Sequence, residues 1–405
     1  MNKNSRMIII FLFLQSVIHN LGHPITPSFV RALGIPDYMF GLFFAAMSFG
    51  LMIGAPIWGI LSDRGHRKLW IAIGLTCYTI GQIGFGFVGE QYLMVLFRLF
   101  AGLGVVSAVT IYTALIVEQT EAKERAKILA FTAASSTLGA SVGYYIGGFL
   151  ATNTFMHTLF HTQNLANVFI IQSVLNALYT LFVVLSIGDV KVRVISAAKT
   201  SMLKSLKAIT KIDKRLLIFL VSVTLMNMAA TNLSKYIDVY FRDLGYSESD
   251  LGTFVMVTGI VSLFASVFIV KYANRYKKQL HFIMIMHIVS AAIVFYVFRS
   301  INFLVMMYTV YMLYVVFKAL YIPLEQAYIS KEAKEGYYGS IMGIRQSFVS
   351  LGMVLGPVIG GFLYNYKPLL LFDFSAVIFL IGVILLGIVS SLEKSKQAVL
   401  NKENI

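Results

Sequence analysis

The sequence predicts an all-α membrane protein of twelve transmembrane helices arranged as two equivalent six-helix bundles, and three observations predict it. Of 405 residues, 58% are hydrophobic and only 13% charged, which lies far outside the range of soluble domains. Apolar stretches of about 20 residues recur along the chain between short polar breaks, each long enough to cross roughly 30 Å of hydrocarbon. The chain also repeats at half its length. Arg31, Leu33, Gly34, Gly41, Asp63, Arg64 and Arg67 return as Arg242, Leu244, Gly245, Gly252, Asn274, Arg275 and Lys278 at an offset of 211. Gly139, Gly143, Gly147 and Gly148 return as Gly352, Gly356, Gly360 and Gly361 at an offset of 213. In an apolar chain, repetition at this scale is the architecture of a transporter with its site between two halves.

The first bundle, residues 1–187, carries spans at 7–30, 38–61, 69–88, 92–117, 127–151 and 165–187. Residues 188–214 are the largest soluble stretch and form the cytoplasmic linker, carrying six of the chain's lysines and arginines before Lys214. Its second part, SMLKSLKAITKIDKRL, reads either as a short amphipathic helix on the membrane surface or as a solvated basic tether. The second bundle, residues 215–390, carries spans at 215–237, 250–270, 280–299, 302–329, 337–364 and 368–390, and residues 391–405 form a cytoplasmic tail.

Charge placement gives the topology. About 25 of the 33 lysines and arginines fall on one side if the N-terminus is cytoplasmic, so the positive-inside rule puts both termini there. The net charge of +15 is thus a topology signal with some attraction for anionic lipid, not a nucleic-acid footprint. Lys3 and Arg6 before the first apolar run superficially resemble a signal peptide, but that run is long and lacks a small-residue cleavage site. Cys77 stands alone and forms no internal disulfide. No Gly-x-x-x-x-Gly-Lys phosphate loop occurs, which argues against ATP-driven transport, and no cofactor is expected. The pairs His19/His23 and His157/His161 have spacing that would suit a metal on a helix, but without thiols or carboxylates they make weak sites and no metal is expected.

Between spans two and three lies a tight turn, Gly59-Ile-Leu-Ser-Asp63-Arg64-Gly65-His66-Arg67-Lys68. Its glycines allow reversal and close helix approach, Asp63 can accept from a helix N-terminus or pair with an arginine, and the basic cluster faces the cytoplasm. This turn resembles the signature loop of the major facilitator superfamily. The resemblance extends over essentially the whole chain. Arg98, followed by Ala101, Gly102 and Gly104, is similar to the family's intramembrane arginine motif, which implies a part in proton coupling. Glu118 and Arg125 are similar to positions that join the loop aspartate in a charge relay, making Asp63, Arg67, Glu118 and Arg125 a candidate cytoplasmic gate.

Gly139-x3-Gly143-Tyr144-x2-Gly147-Gly148 is similar to the glycine motif of the drug:proton antiporters, with Tyr144 in place of the usual proline. The second copy is complete: Gly352-x3-Gly356-Pro357-x2-Gly360-Gly361. The second loop copy has lost its glycine and carries Asn274 for the acid, so only the first half keeps a charged latch.

The resemblance implies a mid-membrane cavity between the halves. Polar residues placed to line it are Asn20, His23, Tyr112, Asn227, Asn232, Lys318, Tyr321, Arg345 and Gln346. Lys318 and Glu325 are seven apart and share a helix face, which predicts a buried polar line. Glu325 is the best intramembrane carboxylate for a proton carrier, and His19 titrates near neutrality without help, so Arg98, Glu325 and His19 are the proton-coupling candidates. The 32 Phe and 22 Tyr, with Met, would suit varied apolar or cationic solutes.

The expectation is proton-coupled efflux of small amphipathic compounds by a protein acting as a monomer in a bacterial plasma membrane. A sugar, metabolite or lipid-linked solute carrier is the alternative, and a non-transporting scaffold a further one.

Overall fold

The computed structural model describes residues 3–120, 122–153, 164–187, 213–273, 278–330 and 338–403. Among these residues there is no strand, and the helices make twelve passages. Span one is Lys3–Asn20, broken at a turn and continued by the short helix Thr26–Ala32. Spans two to six are Tyr38–Asp63, Arg67–Phe87, Gln91–Gln119, Ala122–Thr152 and Ala166–Ser186. Span seven is Lys214–Asp243, and span eight runs from Glu248–Phe264 through a π turn, Ala265–Ile269, to Val270–Ala273. Span nine is Gln279–Val297, span ten is Phe303–Tyr308 followed by Val310–Ser330, and spans eleven and twelve are Tyr338–Tyr366 and Pro368–Glu403.

Ten of these passages are long and apolar enough to cross a membrane on composition alone. Span one is shortened by its break, where Pro24 withdraws a backbone donor and biases His23 away from helix. Span five is rich in Ala, Ser, Thr and Gly, because much of it faces other helices rather than lipid. Elsewhere the outer faces carry exposed Leu, Ile and Phe in numbers that only a hydrocarbon surround tolerates.

Besides the break in span one, several boundaries differ from the sequence reading, and span five begins at Ala122 rather than 127. Span seven continues beyond 237 to Asp243, span ten is interrupted at Thr309, and the last helix runs through the expected tail to Glu403.

The repeat has a local cause at the ends of spans one and seven. The Gly34 amide donates to the Arg31 carbonyl at 2.9 Å and Ile35 to Val30 at 3.2 Å, while Gly245 donates to Arg242 at 3.0 Å and Tyr246 to Phe241 at 3.0 Å. Both are Schellman caps, and each needs a left-handed residue, supplied by Gly34 at φ 70° and Gly245 at φ 83°. Span eight then opens with a reciprocal cap, Ser247 N–H to Asp250 and Asp250 N–H to Ser247 Oγ.

The chain forms two compact units, Met1–Ala197 with Tyr236–Leu263, and Ala198–Lys235 with Phe264–Ile405. In the first unit, a Cβ at Gly139, Gly143 or Gly147 would strike the span-one carbonyls of Phe13, Val17 and Leu21. In the second, Gly352 and Gly356 meet the span-seven carbonyls of Thr224 and Met228 in the same way, and Pro357, Gly360 and Gly361 are buried behind them. The glycine motif is therefore a contact surface repeated in both halves. Gly148 and Gly252 serve a further contact, between span five and the start of span eight, where a Cβ would meet the backbone of Glu248 and Tyr144.

Candidate functional site

The turn between spans two and three is built as the sequence requires. Gly65 at φ 96° and His66 at φ 53° reverse the chain, and the Trp70 indole donates to the Gly65 carbonyl at 3.1 Å. Gly59 is not a close-approach glycine, since a Cβ there would meet only Thr110 at 3.9 Å. Asp63 and Arg64 are exposed, Lys68 is half-buried, and Arg67 is buried, its Nε donating to Ser62 Oγ at 3.1 Å. Glu118 and Arg125 lie on helical backbone but their side chains fall outside the described residues, as do Asn274, Arg275, His157, His161 and nearly all of the 188–214 linker.

Inside the first unit, Arg98 is 4% exposed and does not snorkel to either surface. Its guanidinium lies 3.6 Å from the centre of the Phe85 ring and donates to Gln82 at 3.3 Å and Thr26 at 3.5 Å. Gln82 donates to the Tyr78 hydroxyl at 2.7 Å and to Gln172 at 3.0 Å, and Gln172 donates to Tyr78 at 3.0 Å and to the Ile18 carbonyl at 2.8 Å. Tyr78 closes the chain by donating to the His19 carbonyl at 3.3 Å. The His19 ring lies 3.9 Å from that of Tyr78, and its Nε2 is 2.8 Å from Asn176 Oδ1. Such a network holds a buried cation by dipoles alone, with no carboxylate hydrogen-bonded to Arg98 among the described residues.

The second unit holds a buried ion pair. Glu325 in span ten is 1% exposed and accepts from Arg345 in span eleven at 3.2 Å. The pair is incompletely satisfied, since Glu325 Oε1 and Arg345 Nε lack partners among the described residues. Lys318, two turns away on the same face, is half-buried and does not pair with Glu325; the predicted Lys318–Glu325 line is instead a Glu325–Arg345 bridge between helices. A longer, forked side chain from the neighbouring helix reaches the carboxylate, while seven residues of helix separate it from Lys318 by roughly 10 Å. Asn232 is fully buried with both amide atoms unpartnered among the described residues, and Tyr321 is buried against His287, ring centres 4.4 Å apart.

Several cavity candidates are placed elsewhere. Tyr112 belongs to the apolar core of the first unit, its hydroxyl 3.1 Å from that of Tyr179. Asn20 and Asn227 spend their amides on the carbonyls of Ser16 and Val223 one turn back. Gln346 is exposed, so Arg345, Gln346, Asn227 and Asn232 do not form one hydrogen-bonded pocket.

At the end of the first unit opposite the Asp63 turn, Arg31 binds Asp37 through two hydrogen bonds of 2.9 and 2.7 Å and also reaches Asp243 at 2.6 Å. The hydrogen bonds to Asp37 keep the Arg31 proton held above its ordinary affinity. Its repeat mate Arg242 pairs with Glu248 at 3.4 Å, again six residues on, and Glu248 accepts from Ser28 at 2.5 Å. Beneath them, His23 is stacked between Phe44 and Tyr144, ring centres 5.4 Å away on each side, and the Tyr144 hydroxyl donates to buried Asp238 at 3.0 Å. Tyr144, where the motif would have proline, thus binds the C-terminal third of span seven to span five.

The sequence reading missed Tyr78, Gln82, Gln172, Asn176, Asp238 and Glu248. The first four are polar residues in spans three and six, which the cavity rule leaves out; the cost of a polar group in hydrocarbon would have found them. Asp238 was missed because span seven was ended one residue early.

Twelve helical passages with a glycine contact repeated in both halves, and charged groups held deep among apolar side chains, are the architecture of a membrane transporter. The Major Facilitator Superfamily model matches residues 7–314 and 217–404, and the chain belongs to that family. It is 24% identical over 384 residues to Multidrug resistance protein 2 of Bacillus subtilis (strain 168), covering 94% of this chain and 92% of that protein. It is 25% identical over 414 residues to Quinolone resistance protein NorA of Staphylococcus aureus (strain MSSA476), covering all of both. In structure it resembles a bacterial homolog of the human lysosomal transporter Spinster, inward-facing and occupied, with TM-score 0.78 and 12% identity over 96% of this chain and 98% of that one. A D-xylose-proton symporter aligns with TM-score 0.70 and 16% identity over 95% of each chain. At these identities the structural likeness speaks for the fold alone.

Proposed function

We propose that this transporter exports small amphipathic compounds in exchange for protons by alternating access, with Glu325 as the proton carrier. The observation that carries the reading is the buried Glu325–Arg345 pair, half-satisfied in the middle of an apolar bundle. An ion pair in that position is costly to keep and sensitive to the loss of either charge. A proton reaching Glu325 neutralises the carboxylate and releases Arg345; loss of the proton to the opposite side restores the bridge. Arg98 and His19 stay as fixed members of the first unit's polar network. The names of the relatives, multidrug and quinolone resistance proteins, support export as the direction.

In this reading the protein acts as a monomer in a bacterial cell membrane. The Asp63 turn and both termini face the cytoplasm, as the distribution of lysine and arginine supports. The test is a panel of dyes and metabolites in everted vesicles with an imposed pH gradient. Vesicles acidified inside should accumulate amphipathic dyes, and Glu325→Gln should abolish that accumulation. Unchanged pH-driven uptake in the variant would remove Glu325 from the coupling route.

A further inference from the structure

Deepening the export reading, and resting on it, is the balance of charge along span ten. Lys318 lies 12 residues from Ser330 and 15 from Phe303, roughly 18 and 22 Å from the two ends of its passage at 1.5 Å per residue. A four-carbon stem does not bridge that distance, so the ammonium cannot snorkel to a headgroup layer. It makes no ion pair or hydrogen bond among the described residues. One carboxylate shares its helix face, Glu325, and that group is taken by Arg345. The line Lys318–Glu325–Arg345 therefore carries two cations against one anion. Among the described residues Arg345 Nε remains without a partner, as do both amide atoms of buried Asn232 in the same unit. The first unit repeats the imbalance on its own: Arg98 is held by Gln82, Thr26 and a ring face, and no acid is hydrogen-bonded to it among the described residues.

A half-buried ammonium at mid-span, with no counter-ion among the described residues, is costly in an apolar surround and leaves a place for an anion brought by the solute. We propose that the solute bears an acidic group, a carboxylate or sulfonate on an apolar body, and that Lys318 is the residue that binds it. A lipophilic cation entering the same line would meet an unpaired ammonium and a carboxylate already bridged.

Two xanthene dyes of matched ring system test this: fluorescein, which is anionic, and rhodamine 123, which is cationic. Binding of each to the purified full chain is followed by fluorescence anisotropy without any gradient. Fluorescein should bind at least about tenfold more tightly than rhodamine 123, as one charge-assisted contact provides. Lys318→Gln should erase that preference and Lys318→Arg should keep it. Because the readout is a ratio of two dyes on one protein, a partly folded preparation does not mimic the effect. Equal or reversed affinities in the parent chain, or a preference untouched by Lys318→Gln, would overturn the proposal. Vesicles that export rhodamine 123 alongside such a result would leave the efflux reading standing. Tight fluorescein binding without flux would do the reverse.

Discussion

Replacing Tyr144 by Phe deletes a single hydroxyl and keeps the ring stacked on His23. Tyr144 and Asp238 are both buried, at 6% and 1% exposure, and the hydroxyl donates to the carboxylate at 3.0 Å. Loss of a hydrogen bond to a charged acceptor costs about 1.5–3 kcal/mol, against about 1 kcal/mol for a neutral one. The contact holds the C-terminal end of span seven on span five, within the unit that contains Tyr236–Leu263. Local opening of that segment should therefore become about 10- to 100-fold more frequent, since each 1.4 kcal/mol is a factor of ten. Hydrogen–deuterium exchange of peptides from 236–263 reads this directly. A gain near fivefold would report a protonated Asp238, and a larger one a charged carboxylate. Asp238→Asn combined with Tyr144→Phe should cost less than the sum of the single changes. Exchange of 236–263 unchanged by Tyr144→Phe would refute the reasoning, because the hydroxyl would then hold nothing.

The glycine contacts make opposite forecasts for neighbouring-looking residues. Gly143→Leu drives a side chain into the Val17 carbonyl and should lower the melting temperature or abolish a folded peak in size exclusion, overpacking costing about 1–3 kcal/mol or more. Gly59→Ala should leave the same measurements unchanged, with 3.9 Å of room at Thr110. Asp63→Asn should lower dye flux in vesicles while the protein inserts at normal levels; full flux in that variant would deny the turn a gating role.

The fold was legible because membrane helices announce themselves by length and hydropathy, and the Schellman caps at Gly34 and Gly245 write the repeat into the sequence as glycine. Helix contacts were equally readable at Gly139, Gly143, Gly352 and Gly356, where close approach leaves one residue type. Side-chain partners were not. Glu325 was recognisable as a buried acid, but its choice of Arg345 over Lys318 depends on which helices are neighbours, and one-dimensional spacing carries no information about that. The polar network of Tyr78, Gln82, Gln172 and Asn176 draws on spans three and six, whose isolated polar residues acquire meaning only when three helices converge on Arg98. The ion pairs of Arg31 and Arg242 were visible as repeat marks and as charges outside the spans, but Asp37 and Glu248 lie six residues beyond them, past the turn that brings each acid back.

The π turn at Ala265–Ile269 centres on residue 267, and subtracting the offset of 211 gives 56, the position of the proline inside span two. A proline withdraws one donor from the helical ladder, and a π turn displaces the same ladder by one residue. Spans two and eight therefore each interrupt the regular hydrogen-bond ladder at the same position of the repeat, by an imino acid in one and by a π turn in the other. What the two helices have kept in common there is a gap in backbone pairing at one point of the repeat, although the residues that produce it no longer match.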